Sequence, residues 1–188
     1  MNRVLVSVVV GLLLLAASVA PVSAQPAQPV TTPRTIQCSV AQTVTASSAY
    51  ASGNVVGGKI SCANAVRSGG LGGLIQTVWV SDKSGQIQPY EFWPFNSDPS
   101  ATTVTNKSAI AINAADLSKV AAPPIVIPST ATVLGATTTM GITGASGLAT
   151  SFRLADGNTT LYGILVTRGT PTYTSTSDVG VYLTIIPD

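Results

Sequence analysis

From residue 35 to the C-terminus, short apolar runs rich in β-branched residues alternate with clusters of Gly, Asn, Asp, Ser and Pro. This spacing is typical of β-sandwiches and β-barrels. We predict an all-β fold, a single antiparallel β-sandwich of jelly-roll-like or immunoglobulin-like type, over residues 35–188. The candidate strands are residues 35–45, 55–64, 74–81, 86–95, 124–127, 131–138, 151–154, 160–167 and 179–186.

The last candidate strand has the clearest alternation of side chains. Both of its faces are fairly apolar, which favours a strand that is central or covered on both sides. One face holds Val179, Val181, Leu183 and Ile185, and the other holds Gly180, Tyr182, Thr184 and Ile186.

Turns and one short helix are predicted between the strands. Residues 82–85 and 156–158 have the composition of hairpin turns. The Gly-rich residues 141–147 are interpreted as a flexible loop, because no Lys follows them and no βαβ context surrounds them. Residues 108–120 place apolar side chains at a helical spacing after Ser108, a candidate cap, and predict one short helix of one to three turns.

The first 24 residues have the anatomy of a secretory signal peptide. A positive start at Arg3 precedes an apolar core, and the small residues Val22-Ser23-Ala24 stand before Gln25. The alternative is an uncleaved membrane anchor, but the apolar run is short for a membrane span. We predict an extracytoplasmic protein without a membrane span after cleavage. Residues 25–34, rich in Pro and Gln, are predicted to form an extended N-terminal arm.

The predicted export bears on the oxidation state of the only two cysteines, Cys38 and Cys62. An oxidising compartment favours a disulfide between them. The alternative is two buried thiols, because a free cysteine packs well in a core.

The composition excludes several kinds of chemistry. The chain has no His, so it has neither a Ser-His-Asp triad nor a His-ligated zinc site. Two cysteines cannot form a four-thiolate metal site. Only 9% of the residues are charged and the formal net charge is +2, which argues against nucleic acid as a partner. We predict no cofactor, no metal and no enzymatic activity.

Glu91 is the residue on which a hydrolase hypothesis would depend. It is the only Glu of the chain and it stands beside Trp93, where partial burial would raise its pKa. The alternative is an acid on an edge strand, either in solvent or paired with Lys or Arg, and we favour that interpretation. Residues 96–98 and 156–158 offer oxygen ligands for calcium, although both are ordinary turn sequences.

Aromatic residues are concentrated in residues 90–95, YEFWPF. In a strand, Tyr90 and Phe92 face one way, whereas Trp93 and Phe95 face the other. A glycan-binding protein would expose such rings, whereas a sandwich would bury most of them, and we favour the core. Trp79 alternates with Val78 and Val80, and is predicted to lie in the core or at an interface. Four rings are candidate ligand or interface residues: Trp79, Tyr90, Phe92 and Trp93.

Three segments resemble small phage and prophage virion-associated proteins. They are residues 49–59, AYASGNVVGGK; residues 95–100, FNSDPS, with the Thr-rich and Ala/Asp-rich stretch that follows; and residues 161–173, LYGILVTRGTPTY, with the final strand. In order and spacing they cover roughly residues 47–188. The resemblance implies a β-sandwich decoration or accessory structural subunit without enzymatic activity, here with an added signal peptide.

The sequence therefore predicts an exported structural or surface-contact protein of the phage decoration type. Self-association or contact with a protein surface is expected, because few charges allow close contact between copies and interface cores are poor in charge. The alternative is a secreted carbohydrate- or surface-binding β-sandwich module, with a glycan as its partner.

Overall fold

Ten β-strands and one short helix make up the part of the chain that the computed structural model describes: residues 34–86, 88–129, 131–134, 140–146 and 148–188. These residues belong to one compact unit, Thr32–Asp188. The predicted signal peptide, and the predicted arm except Arg34, lie outside the described residues. The strands are β1 (Ile36–Gln42), β2 (Ile60–Cys62), β3 (Gly72–Asp82), β4 (Tyr90–Phe95), β5 (Ile125–Ile127), β6 (Ala131–Leu134), β7 (Met140–Ala145), β8 (Thr150–Arg153), β9 (Leu161–Thr167) and β10 (Val179–Pro187).

The strands form two antiparallel sheets. The six-stranded sheet has the order β1-β10-β3-β7-β6, with β8 paired to the beginning of β3. The four-stranded sheet has the order β2-β9-β4-β5. The predicted antiparallel β-sandwich is therefore confirmed, and β10 is central, as its two apolar faces indicate.

Strands from the two ends of the chain pair with each other. The first strand pairs with the last and the second with the last but one, after which β10 pairs with β3 and β9 with β4. In an immunoglobulin sandwich the first two strands are neighbours in one sheet, whereas here they lie in different sheets. The nested order is that of a jelly roll, an architecture found in viral capsid and lectin domains.

Alternate side chains of both sheets fill the core between them. Val78 and Val80 of β3 face Tyr90 and Phe92 of β4 across this core, and all four are fully buried. A disulfide between Cys38 of β1 and Cys62 of β2 joins the edges of the two sheets, with 5.6 Å between the Cα atoms. The predicted cysteine pairing is thus confirmed.

The outer face of the four-stranded sheet is covered by a further layer, residues 96–121. A small second core lies beneath this cover, because the outward side chains of β4 and β9 are also apolar. A backbone hydrogen bond from Ala121 N to Pro94 O (2.9 Å) attaches the end of the cover to β4, and a bond from Asn96 N to Lys119 O (2.7 Å) joins the two ends of the cover to each other. The buried members of the second core are Val55, Phe95, Ile164 and Val166.

The short helix of the cover is a 3-10 helix, Ala114–Lys119. It lies within the predicted range, but the predicted cap, Ser108, is wrong. Asn113 is the cap and accepts a hydrogen bond from Ala115 N (2.9 Å). Residues 108–110 are instead held against the loop before β2, where Val55 N donates to Ser108 O (2.8 Å). No helix among the described residues is long and apolar enough to cross a membrane.

The predicted flexible loop at residues 141–147 is wrong, because most of it is strand β7. This strand pairs with β3 on one side and β6 on the other. A glycine in a strand has no side chain that could pack against the neighbouring strand. Gly144 stands opposite Trp79 in the pairing with β3, so Trp79, the largest side chain of β3, has no side chain opposite it on the β7 side.

Both predicted hairpins are also wrong, because each turn carries the chain from one sheet to the other. Residues 82–85 link β3 to the segment before β4, and residues 156–158 link β8 to β9. The turn chemistry itself is as expected. Asp82 accepts hydrogen bonds from Ser84 N (2.8 Å) and Gln86 N (3.0 Å), and Gly85 has a φ of 69°.

Candidate functional site

An apolar depression opens on the surface of the cover. Its volume is about 290 Å³, and its lining residues are Trp93, Ile110, Ile112 and Leu117. Leu117 is 58% exposed on the 3-10 helix. Val126 of β5 is 64% exposed and pairs with Glu91. Glu91 and Trp93 lie on the same face of β4, so Val126 extends the apolar surface on the outer face of the four-stranded sheet. Large exposed apolar side chains gathered in one place are typical of contact surfaces.

Glu91 stands beside the apolar depression in an ion pair. Arg168 Nη2 and Trp93 Nε1 both donate to Glu91 Oε2, the latter at 3.2 Å. The hydrogen bond from Arg168 lowers the pKa of Glu91 below its usual value. The raised pKa on which the hydrolase alternative depends is not found, because the hydrogen bond from Arg168 outweighs partial burial. β4 is an interior strand of its sheet, so the predicted edge position is also wrong, whereas the predicted pairing with a basic residue is confirmed.

Two of the four candidate aromatic residues are closed to ligands. Tyr90 and Phe92 are fully buried between the sheets. The Tyr90 hydroxyl lies 3.2 Å from the Tyr173 hydroxyl, and burial raises the pKa of both phenols. These rings stabilise the fold and offer no surface to a partner. The other two candidates, Trp79 and Trp93, are only partly buried.

Trp79 lies on the outer face of the six-stranded sheet, where it stacks on Tyr182 of β10. The ring centroids are 3.7 Å apart and the planes differ by 5°. Trp79 is therefore not a core residue, because Val78 and Val80 take the inward positions of β3. A pocket of about 160 Å³ lies beside the stacked rings. Its polar wall consists of Gln37, Ser39 and Thr184.

The two turns considered for calcium lie next to each other, and an amide donor or a basic side chain already contacts oxygens of both. Asn158 Nδ2 donates to Asn96 O at 2.6 Å. Asp98 pairs with Lys59, and Asp156 lies 3.6 Å from Arg153. Among the residues that the structure describes, no group of three or more His, Cys, Asp or Glu side chains could hold a metal ion.

The buried acids hold turns and the cover in place. Asp116 accepts a hydrogen bond from Thr102 Oγ1 (2.7 Å) and lies 2.8 Å from Lys119 Nζ, whose hydrogen bond lowers the pKa of Asp116. Burial raises the pKa of Asp82, against the hydrogen bonds from Ser84 and Gln86. Asp178 accepts from Thr174 N and Ser175 N, both at 2.8 Å. These contacts account for each acid by turn or helix chemistry.

Sequence reasoning missed Tyr182, Gln37 and Leu117 as surface residues of interest. The alternation in residues 179–186 already placed Tyr182 on the face opposite the aliphatic one. Its contact with Trp79 depends on the register of β10 against β3, where Tyr182 and Trp79 are direct partners. No local pattern encodes that register.

Comparisons of the chain with protein-family models, with curated proteins and with solved structures found no match.

Proposed function

We propose that this chain is an exported, non-enzymatic structural protein that works by surface contact and self-associates through the apolar depression. In this role it would be similar to the phage decoration-type subunits that three of its segments resemble. The observation that carries the proposal is the depression itself, in which Trp93, Ile110, Ile112 and the exposed Leu117 meet without a charged residue in the lining. Interface centres are poor in charged residues and rich in aromatic ones.

The rigidity of the surface around the depression supports contact between copies. The cover follows β4 directly at Asn96 and is hydrogen-bonded back to β4 from Ala121 N to Pro94 O, so Leu117 is presented on a fixed surface. A rigid contact surface loses little side-chain and loop entropy on association. The ion pair between Glu91 and Arg168 lies beside it, where charged groups fix the orientation of partners more than they add affinity.

Export is supported by two independent features of the chain. The N-terminal residues have signal-peptide anatomy, and Cys38 and Cys62 form a disulfide, a bond that persists outside the reducing cytoplasm. The absence of enzymatic activity is supported by Glu91, whose ion pair with Arg168 and lowered pKa make it a poor general acid. The jelly-roll order adds an analogy of fold only, since capsid subunits share it.

The native mass of residues 25–188, prepared with the disulfide formed, tests the proposal. Light scattering after size exclusion is expected to show a defined oligomer. Leu117→Asp should convert it to monomer, because a charge would be buried in the contact. Leu74→Asp is the matched control, since Leu74 is an exposed leucine on the six-stranded sheet, away from the depression. A monomer at every concentration, or an oligomer that survives Leu117→Asp, would refute the proposal.

A further inference from the structure

We infer that the pocket beside Trp79 and Tyr182 is a binding site for one uncharged sugar residue of a glycan. The site lies on the outer face of the six-stranded sheet, on the other side of the molecule from the apolar depression. It is therefore independent of the self-association proposed above. The glycan alternative drawn from the sequence rested on residues 90–95, whereas this pocket joins Trp79, already a candidate ligand or interface ring, to Tyr182, which was not a candidate.

The floor of the pocket is backbone. Cys38 and Leu183 are direct partners in the pairing of β1 with β10, and both side chains turn towards the core. Above this floor, the outward residues of the two strands stand at the sides of a trough. Because β1 is the edge strand, the trough is open at the side of the sheet and can admit one unit of a longer chain.

The walls combine the two kinds of group that bind a pyranose ring. Tyr182 lies between Ser39 and Trp79 in the sheet, so its ring face away from Trp79 supplies the aromatic wall, and the C–H groups on one face of a sugar pack on such a ring. Gln37 provides an amide, and Ser39 and Thr184 provide hydroxyls. Amides and hydroxyls both donate and accept hydrogen bonds, as sugar hydroxyls also do. Small-ligand sites typically combine an apolar wall with a few polar groups that fix orientation.

Charge selects the class of ligand. None of the residues that line the pocket is charged. A phosphate, a carboxylate or an acidic sugar would lose its hydration there without gaining a cation in return, which is unfavourable. A neutral sugar carries no such cost. The small volume of about 160 Å³ fits a single ring rather than a peptide segment.

The stacking arrangement gives the site its rigidity. The two rings are 3.7 Å apart and nearly parallel, so each holds the other in one orientation. Gly180 precedes Tyr182 on the same face, and a Cβ placed there would lie 3.0 Å from Tyr182 Cε2. The glycine thus lets the tyrosine ring lie close to the strand. A preformed aromatic wall loses little entropy when a ligand binds.

The test uses residues 25–188 with the disulfide formed, and a panel of neutral polysaccharides: glucan, galactan, mannan and chitin oligomers. Titration calorimetry with the soluble oligomers is expected to find binding to at least one neutral member. Polygalacturonate serves as the charged counterpart of galactan and should not bind. Absence of binding to every neutral member overturns the inference.

Variants then locate the binding. Tyr182→Ala is expected to raise the Kd about tenfold or more, through loss of the aromatic wall. Ser39→Leu should have a similar effect by filling the trough, and since Ser39 is exposed on an edge strand, this variant leaves the core unchanged. Ser61→Leu, the same substitution at an exposed position of the edge strand β2 in the four-stranded sheet, is the matched control and should bind as the parent does. Binding that survives both Tyr182→Ala and Ser39→Leu overturns the inference.

Discussion

Gly163 of β9 lies under the ring of Phe92, so that a Cβ added to this glycine would be 2.3 Å from both Phe92 Cε2 and Cζ. The two residues belong to neighbouring strands of the four-stranded sheet, and both face the core. The phenyl ring therefore occupies the volume that any other residue at position 163 would need. This contact explains a glycine in the middle of a strand whose other residues are large or β-branched.

Gly163→Ala is expected to destabilise the protein by about 1 to 3 kcal/mol, because overpacking forces a core ring out of its position. Urea unfolding measures the change. Gly58→Ala is the matched control, since a Cβ at Gly58 meets no atom within 4 Å. Its effect should stay within about 0.5 kcal/mol. Equal unfolding midpoints for the two variants would contradict the proposed packing.

The disulfide between Cys38 and Cys62 links two edge strands across the sandwich, and its removal is expected to cost about 3 kcal/mol through the gain in entropy of the unfolded chain. The variant carries Cys38→Ser and Cys62→Ser together. Its free energy of unfolding should match that of the reduced parent protein, and a reductant should not change it further. A variant as stable as the oxidised parent would show that the bond does not constrain the unfolded chain.

The buried phenols of Tyr90 and Tyr173 predict a loss of stability in alkali. Their pKa values are raised in the folded state, so the stabilisation is complete below the ordinary tyrosine pKa, about 10, and decreases as the pH rises above it. Urea unfolding at several alkaline pH values measures this decrease. The double variant Tyr90→Phe with Tyr173→Phe should lose less stability as the pH rises, and less phenolate absorbance should appear when it unfolds. Identical slopes would refute the linkage.

The ion pair between Glu91 and Arg168 predicts a pH dependence of the opposite sign. The pKa of Glu91 is lowered on folding. Its ionised form therefore stabilises the folded protein above the ordinary glutamate pKa, and this stabilisation is lost as the pH falls through the pKa of the folded state. Glu91→Gln should lower the free energy of unfolding by about 0.5 kcal/mol near neutral pH, a small effect because the ion pair is partly exposed.

The cost of Glu91→Gln should disappear in acid, where the parent carboxyl is also uncharged. Urea unfolding at both pH values measures the difference. Asp156→Asn is the control, since Asp156 and Arg153 are highly exposed and 3.6 Å apart, and it should have no measurable effect at either pH. A Glu91→Gln cost that is the same in acid would mean that the lost contact is not ionic.

Much of the fold could be predicted from local patterns. Short β-branched runs with turn residues between them predicted most of the strands, and the alternation in residues 90–95 correctly divided Tyr90 and Phe92 from Trp93 and Phe95. The strand at 140–145 was missed because three of the residues in 141–147 are glycines, which have low strand propensity. Its backbone is ordered by hydrogen bonds to β3 and β6, which local propensity does not report.

The sequence by itself determined that this chain is an antiparallel β protein, with two cysteines and no histidine chemistry. Periodicity and composition are local properties, and they suffice for such conclusions. Only the tertiary structure decided which sheet each strand joins, and therefore that residues 82–85 and 156–158 cross between sheets. It also brought Trp79 to Tyr182 and Trp93 to Leu117. Those meetings depend on strand register and on the path of the cover, which are fixed by packing across the whole core rather than by neighbouring residues.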